Sequence, residues 1–437
     1  MSITRRKLLT SSLAAGAALA GRNAYAQPGH QHGPPAPAPP APKQATAAKA
    51  AAKQPSMLVV PNGSLMPWTQ KDGVKVFHVV CEPVKHTIAP GLEIEAWGYN
   101  GTTPGPVIEA TEGDRVRIYV TNKLPEATSV HWHGILVPHG MDGVGGLTQK
   151  PIDPGKTFKY EFTFDRAGTF MYHPHVDEMT QIALGMMGVI VVHPKGGGRR
   201  ARDYVLMAHE MKIAIGAARP DPMAMNDFNV LTFNGKAFPA TEPLVAEVGE
   251  LVRIRLANLG PMDHHPIHLH GHTFEIVATD GGAIPASARH PDTTVLVPVG
   301  STRTIEFTAR APGDWPLHCH MTHHVMNQMG HDVANLIGVD TRGLDAKLGR
   351  VVPGYMTMGH AGMAEMSTMQ MPQPKNSISM VGGKGPHGMI DMGGMFTLVK
   401  VRDKLATGAD QGWYDAPKTS IASEASSADL TRDGIKI

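Results

Sequence analysis

The second half of this chain repeats the first half. The stretch 109–134, which ends in HWHG, corresponds to 247–271, which ends in HLHG. Likewise 153–175, which ends in YHPH, corresponds to 298–320, which ends in LHCH. Each copy therefore carries two His-x-His pairs at matched places. Because similar sequences fold alike, the repeat predicts two copies of one domain.

Apolar residues alternate with polar residues in both copies, as in VRIYV, FKYEFTF, LVRIRL and TIEFTA. A period of two is typical of strands with one buried face, and Gly, Pro and Asp between the runs indicate turns. No long helical stripe accompanies these runs. We therefore predict an all-β fold of two β-sandwiches, the first over residues 57–197 and the second over residues 198–342.

The four His-x-His pairs supply eight imidazoles in two matched sets. On a strand, side chains two residues apart share a face, so each pair can offer both imidazoles to one metal cluster. Eight imidazoles exceed what one ion binds, and imidazole alone suits copper, zinc, iron or nickel. The pairs are His131 and His133, His173 and His175, His268 and His270, and His318 and His320.

Cys319 lies between His318 and His320, so its thiol is expected to project from the opposite face of the strand. There it can form a second site with His265, His324 and Met329. A thiolate, two imidazoles and a weak thioether are the ligands of a blue-copper electron-transfer centre. We therefore predict a mononuclear copper on one side of this strand and a copper cluster on the other.

The first copy lacks all four ligands of the mononuclear site. The corresponding positions hold Thr128, Pro174, Met179 and Leu184. The four cluster histidines of the first copy are nevertheless present. The first domain is therefore predicted to hold half of the cluster, and the second domain the other half and the mononuclear copper.

Four motifs resemble the copper-binding motifs of the multicopper oxidases: HWHG (131–134), YHPH (172–175), HPIHLHGH (265–272) and HCHMTHHVMNQM (318–329). The resemblance covers residues 58–340. It implies two cupredoxin-like Greek-key β-sandwiches and about four copper ions per chain, one of type 1, one of type 2 and two of type 3. It also implies oxidation of a small reductant at type 1 copper and reduction of O₂ to water at the cluster.

The resemblance also implies a role for each ligand. His265, Cys319, His324 and Met329 would bind type 1 copper, His131 and His268 type 2 copper, and His133, His173, His175, His270, His318 and His320 the type 3 pair. Gln328 stands where the family commonly has glycine before the axial methionine.

Asp142 matches an acidic residue of the family that helps to deliver protons to bound oxygen, and O₂ reduction consumes protons. The alternative for Asp142 is a turn residue before Gly143. Cys319 and Asp142 are the predicted catalytic residues.

Many members of the family have three sandwiches, whereas this chain has residues for two. In the two-domain members that it resembles, the first domain of one subunit meets the second domain of its neighbour, and three subunits close a ring. The resemblance therefore implies a homotrimer with the cluster at the subunit interfaces.

The C-terminal segment 343–437 is predicted to be a Met-rich and polar tail, in which FTLVKVRD can add one strand. Thioethers select Cu(I), so cuprous ion is the predicted substrate and copper tolerance the predicted role. An inert adaptable surface is the alternative for the methionines, and a phenol or aromatic amine, as in laccases, is the alternative substrate. The methionines stand at positions 356, 358, 363, 366, 369, 371, 380, 389, 392 and 395.

Residues 1–26 combine Arg5 and Arg6 with a modest apolar run and small residues near position 26, which is typical of a twin-arginine export signal. The apolar run is shorter than the ~20 residues that span a bilayer. Residues 27–56 are rich in Pro and Ala and predict a flexible linker. We therefore expect a periplasmic protein without a membrane span, and its net charge of +2 gives no reason to expect nucleic acid as a partner.

Two other functions share part of this pattern. A two-domain copper nitrite reductase has the same architecture, but its catalytic site holds a single copper. The eight histidines of this chain indicate a cluster of several ions instead. A non-catalytic copper store explains the methionines but gives Cys319 no task. Two cysteines in the whole chain argue against a zinc-thiolate cluster or a disulfide framework.

Overall fold

The computed structural model describes residues 57–197, 200–328, 343–348, 350–351, 374–406 and 411–437. The predicted export signal, the linker, Met329 and the methionines from 356 to 371 lie outside the described residues. The described residues form two β-sandwiches, which confirms the predicted all-β class.

The first sandwich follows a short leading strand, β1 (Met57–Val59). Its strands are β2 (Trp68–Lys71), β3 (Val74–Ala89), β4 (Leu92–Tyr99), β5 (Ile108–Thr111), β6 (Arg115–Asn122), β7 (His131–His133), β8 (Thr157–Thr163), β9 (Gly168–His173) and β10 (Gly188–His193). One sheet has the order β2-β3-β6-β8 with β4 beside β3, and the other has the order β5-β10-β9-β7. Alternation in β6 places Val116, Ile118 and Val120 in the core between the two sheets.

The second sandwich packs an eight-stranded sheet against a five-stranded sheet. The strands are β11 (Arg202–Met211), β12 (Val230–Phe233), β13 (Leu244–Glu247), β14 (Leu251–Asn258), β15 (His265–Leu269), β16 (Phe274–Thr279), β17 (Gly282–Ala283), β18 (Pro291–Asp292), β19 (Thr294–Val297), β20 (Ser301–Thr308), β21 (Gly313–Cys319), the separate hairpin β22 (Lys384–Gly385) and β23 (Gly388–Met389), and β24 (Phe396–Arg402). The larger sheet has the order β1-β11-β14-β20-β16-β17 with β12 beside β11 and β18 beside β16, and the smaller has the order β13-β24-β21-β15-β19.

Helices are short and few among the described residues. They are α1 (Glu178–Ala183), α2 (Leu344–Leu348) and α3 (Ser427–Arg432), with 3-10 turns at His139–Met141, Ala286–Ala288, Thr322–Val325 and Lys418–Ser420. In this part of the chain, no helix has the length and apolar character that crossing a membrane requires.

The predicted domain limits are wrong at two strands. β1, expected in the first domain, pairs with β11 in the larger sheet of the second sandwich. β24, expected in the tail after residue 342, lies between β13 and β21 of the second sandwich. Without β24 both neighbours would leave main-chain N–H and C=O groups unpaired at an open edge. Met395, predicted to lie in the Met-rich tail, is buried in the same core.

An apolar layer joins the two sandwiches. Val189 of β10 packs in one buried cluster with Val205 and Met207 of β11. Arg255 of β14 also donates a hydrogen bond to the Thr169 hydroxyl of β9, at 2.8 Å. These contacts bury the outer face of β9 and β10, which explains why β10 is apolar without alternation.

Candidate metal centres

Strands β15 and β21 run antiparallel and carry ligands of both predicted sites. His318 lies opposite His268, and Cys319 lies opposite Ile267. Directly opposed residues share a face, so His268 and His318 project from one side of the sheet. Cys319 projects from the other side, into the core of the second sandwich, where His265 is also buried. Strand alternation therefore separates the sulfur from the neighbouring imidazole.

Cys319 meets two imidazoles in this core. Its Sγ lies 3.8 Å from Nδ1 of His265 and 3.5 Å from Nδ1 of His324, and the two nitrogens are 3.2 Å apart. All three residues are buried. A sulfur and two nitrogens bound to one ion at about 2.3 Å and 2.0 Å lie about 3.3 to 3.8 Å from one another. The trio of Cys319, His265 and His324 therefore fits a single metal ion.

Each imidazole of the trio has a carboxylate at its other nitrogen. Nε2 of His265 donates to Oε2 of Glu210 at 3.2 Å, and Nε2 of His324 lies 3.4 Å from Oδ2 of Asp263. Glu210 is fully buried, and its second oxygen accepts the main-chain N–H groups of Met262 and Asp263. A carboxylate at Nε2 orients the ring and leaves Nδ1 for a metal.

Neither carboxylate was predicted from the sequence. Burial alone would raise the pKa of Glu210, but the His265 imidazole and the Asp263 main-chain N–H hold that pKa below its ordinary value. The hydrogen bond to His324 lowers the pKa of Asp263. A carboxylate inside the mostly apolar run YVLMAHEM was the available signal for Glu210, because buried charges are rare unless paired.

Burial raises the pKa of the Cys319 thiol to about 12. Without metal the thiol is therefore protonated at neutral pH, and copper must displace that proton to bind the thiolate. We expect the apparent copper affinity of the trio to rise about tenfold per pH unit between about pH 7 and pH 9, because binding releases one thiol proton. A competition titration that follows the thiolate-to-copper absorption measures this slope, and an affinity independent of pH would contradict it.

The loop after β21 is held by residues of the C-terminal segment. The Asn327 side chain donates to the Ser379 carbonyl at 3.0 Å and accepts the Gly394 N–H at 2.8 Å. The Gln328 side chain accepts the N–H of Ile378 at 2.7 Å. Gln328 has a φ of +51°, a conformation that favours glycine, which is the residue that the family commonly has there. The hydrogen bond from Ile378 helps to hold Gln328 in this backbone conformation.

The four predicted cluster histidines of the first sandwich form one group. His131 and His173 are opposed in β7 and β9, and Nδ1 of His133 lies 3.2 Å from Nε2 of His173. One nitrogen from each of these three residues lies within 4.8 Å of the others. The ring of His175, just beyond the end of β9, is centred 5.6 Å from the ring of His131. We call these four residues the first histidine set.

The second histidine set comprises the other four predicted cluster ligands. Nε2 of His270 lies 3.1 Å from Nε2 of His318, and the His268 ring is centred 4.7 Å from His270 and 5.5 Å from His320. His270 and His320 lie just beyond the ends of β15 and β21. Strand alternation therefore applies to a whole pair only at His131 and His133, because β9, β15 and β21 each end between the two histidines of a pair.

Burial keeps four of the predicted cluster imidazoles neutral. It lowers the pKa of His173 to about 3, and it also lowers the pKa values of His133, His270 and His318. The neighbouring imidazoles act in the same direction in all four cases. A metal binds the neutral ring, so these ligands are in the binding form at neutral pH.

The two sets line different cavities in the described part of the chain. The first set lines a cavity of about 610 Å³, together with α1 and part of the loop 221–226. His268 and His270 of the second set line a cavity of about 510 Å³, together with Thr293 and Arg310. The described residues that line one cavity do not line the other. Each set therefore offers an incomplete ligand shell for a cluster of several ions.

The first sandwich has a neutral hydrogen-bond network where the second has the trio. The Thr128 hydroxyl donates to the Gln181 side chain at 2.6 Å, and that side chain donates to the Ala127 carbonyl at 2.9 Å. Thr128 and Gln181 are both buried. Thr128 stands at the position equivalent to His265, so this part of the first sandwich offers no imidazole.

Asp142 lies beside the first histidine set. Its main-chain oxygen accepts the Nδ1–H of His131 at 2.8 Å, and its carboxylate Oδ1 is 3.5 Å from the same nitrogen. Gly143, the next residue, has a φ of +84° and no room for a side chain, so Asp142 also occupies the predicted turn. Sequence analysis missed Glu178 of α1, whose Oε1 lies 3.3 Å from Nδ1 of His173.

Comparison with known proteins identifies the family. The family profiles described as multicopper oxidase match residues 80–197 and 214–338. The chain therefore belongs to the multicopper oxidase family. This family binds copper, and the thiolate, imidazole and geometry of the trio suit copper, as do the neutral imidazoles of the two sets.

Individual relatives cover parts of the chain. Laccase-1 of Cryptococcus neoformans var. grubii is 32% identical over 46% of this chain and 37% of its own length. Copper resistance protein A of Pseudomonas syringae pv. tomato is 43% identical over 24% of this chain and 17% of its own length. The chain thus spans well under half the length of these relatives. The crystal structure of the blue copper oxidase from Nitrosomonas europaea is similar with a TM-score of 0.56 and 26% identity, over 75% of this chain and 85% of that one.

Proposed function

We propose that this protein couples the oxidation of a small reductant to the reduction of O₂ to water. One observation carries the proposal: β21 holds Cys319 in a buried trio on one face and His318 in the second histidine set on the other. Bound copper supplies one-electron oxidation at the trio and O₂ reduction at the cluster. Adjacent residues of one strand give the two sites a short covalent connection.

The surrounding residues orient the ligands and handle protons. Glu210 and Asp263 fix the two imidazoles of the trio through Nε2. Asp142 holds His131 through its carbonyl, and its carboxylate, which is partly exposed, can hold a proton beside the first histidine set. Reduction of O₂ consumes protons, so a carboxylate between solvent and the cluster has a chemical task.

The assembly that we propose is a homotrimer. The first histidine set lines one cavity and His268 and His270 of the second set line another, which agrees with a cluster shared between two copies of the chain. A head-to-tail contact between the first domain of one subunit and the second domain of the next closes into a ring when the rotation permits. In a ring of three, every interface holds one complete cluster.

The substrate that we propose is Cu(I), with a role in copper tolerance. The methionines from 356 to 371 support it, because thioethers select Cu(I). Asp263 and Met321 also support it, because both are accessible to solvent near His324 and offer a carboxylate and a thioether. The similarity to copper resistance protein A agrees with this substrate, whereas the similarity to Laccase-1 favours a phenol or aromatic amine.

We propose twin-arginine export and a periplasmic location. Arg5 and Arg6 before a modest apolar run support this location. Periplasmic residence would place a cuprous oxidase where incoming copper first meets the cell.

Replacing the methionines at positions 356, 358, 363, 366, 369 and 371 by glutamine tests the substrate. We expect Cu(I) turnover to fall about tenfold and phenol turnover to stay within about twofold, because glutamine keeps the length but removes the soft sulfur. Both rates are measured as O₂ uptake. The O₂ concentration is the same in every assay, and the copper content of each sample is determined. Met223→Gln, at an exposed methionine in the loop 221–226 and outside the C-terminal segment, is the control.

Equal loss of both rates, or no loss, would exclude a Cu(I)-specific role for this segment. Copper-loaded protein that consumes no O₂ with either substrate would contradict the oxidase proposal and favour a copper store. Consumption of nitrite in place of O₂ would indicate a nitrite reductase.

A further inference from the structure

Exposed methionines gather at the cavity of the first histidine set. Met179 of α1, Met225 of the loop 221–226 and Met262 before Asp263 line this cavity, with exposed fractions of 57%, 73% and 54%. Methionine is usually buried in proteins. Three exposed methionines around one cavity therefore indicate a role other than packing within the chain.

The same cavity brings thioethers and imidazoles together. Its lining includes all four residues of the first histidine set, the carboxylate of Glu178 and apolar residues such as Ile182 and Leu259. Thioether sulfur is a soft ligand that favours Cu(I), whereas Cu(II) favours nitrogen and oxygen. Cu(I) could therefore bind at the sulfur atoms first and at the imidazoles afterwards.

The cavity of the second histidine set provides an internal comparison. The described residues that line it are His268, Leu269, His270, Gly271, His272, Thr273, Thr293, Thr308 and Arg310, and none of them is a methionine. The two cavities share imidazoles but differ in sulfur. Among the described residues, exposed methionines therefore line the cavity of the first set and not the cavity of the second.

We propose that Met179, Met225 and Met262 capture Cu(I) and deliver it to the first histidine set, so that this cavity loads the cluster with copper. The step is a ligand exchange, in which Cu–S bonds break and Cu–N bonds form with no change of oxidation state. In the trimer proposed above this cavity faces the neighbouring subunit, so loading precedes closure of the ring. Loading of a resident metal goes beyond the proposed oxidase activity and differs from capture of substrate near His324.

The test compares loading of the full chain after its copper has been removed. In the triple variant Met179→Leu, Met225→Leu and Met262→Leu, the apolar volume is nearly conserved and the sulfur is lost. We expect loading from a Cu(I)–bicinchoninate complex without O₂ to be about tenfold slower than in the unmodified chain, and loading from Cu(II) sulfate to stay within about twofold. Bound copper per chain is counted at intervals after rapid desalting.

The matched control is Met223→Leu, an exposed methionine of the loop 221–226 that does not line the cavity. Methionines 356–371 are present in every protein compared and contribute equally. Unchanged Cu(I) loading in the triple variant would overturn the proposal and leave the methionines as an apolar contact surface. Equal slowing of loading from Cu(II) would overturn the proposal as well. Light scattering shows whether assembly of the triple variant is altered. Neither result contradicts the oxidase proposal. An unmodified chain that retains no copper would contradict both the oxidase proposal and the loading proposal.

Discussion

Cys319→Ser yields a colourless protein that keeps copper at the histidine sets and loses oxidase turnover. The trio then lacks its thiolate, and serine oxygen is a poor replacement for soft sulfur. Loss of an outer partner of a metal ligand already costs about 10- to 100-fold in affinity or activity, so loss of the ligand itself should cost more than about 100-fold in turnover. Visible absorption, copper counting and O₂ uptake on one sample measure the effect.

Cys81→Ser is the matched control for this prediction. Cys81 is the other free cysteine among the described residues, and it is buried in the core of the first sandwich. A buried hydroxyl without a partner costs about 1 to 3 kcal/mol of stability, but blue colour and turnover should persist. Blue colour or undiminished oxidation in Cys319→Ser would refute the assignment of the trio.

Two inactive variants recover activity when their subunits are mixed. His133→Ala damages the first histidine set, and His270→Ala damages the second, so each protein alone should reduce O₂ hardly at all. In a mixed ring, an intact first set of one subunit can meet an intact second set of its neighbour. Equal mixing gives that pairing at about a quarter of interfaces, so we expect about a quarter of normal turnover.

A mixture of His131→Ala and His133→Ala controls for nonspecific recovery. Both variants damage the first set, so no interface in their mixture contains an intact pair. Subunits are unfolded and refolded together, and mass spectrometry of differently tagged chains confirms exchange. No recovery in fully exchanged rings of the first pair would contradict the shared cluster, as would substantial turnover in either variant alone.

The sequence predicted which side chains group together better than it predicted the residues around them. Repetition identified eight histidines, and alternation separated Cys319 from His318, because both signals are local in the chain. Glu210 was missed because its partner His265 is 55 residues away and nothing in the local pattern reports that contact. Asp263 lies only two residues before His265, yet its contact with His324 depends on the fold of the loop after β21.

The domain limits failed for a related reason. The alternation of FTLVKVR indicated a strand, but no local signal indicates which sheet a strand joins. The answer depends on two edges, β13 and β21, that are built from residues far earlier in the chain. Strand β1 likewise joined β11 across more than a hundred residues, because pairing removes exposed main-chain groups.

The position of β24 determines when the strand that carries Cys319 can be fully paired during biosynthesis. The strand that carries Cys319 has β15 on one side and β24 on the other, and the Cys319 main-chain N–H donates to the Met395 carbonyl at 3.1 Å. In a nascent polypeptide that stops before residue 396, this strand is therefore paired with β15 only, and the Cys319 thiol is not covered by β24. We therefore expect blue colour only in chains whose translation has passed residue 402.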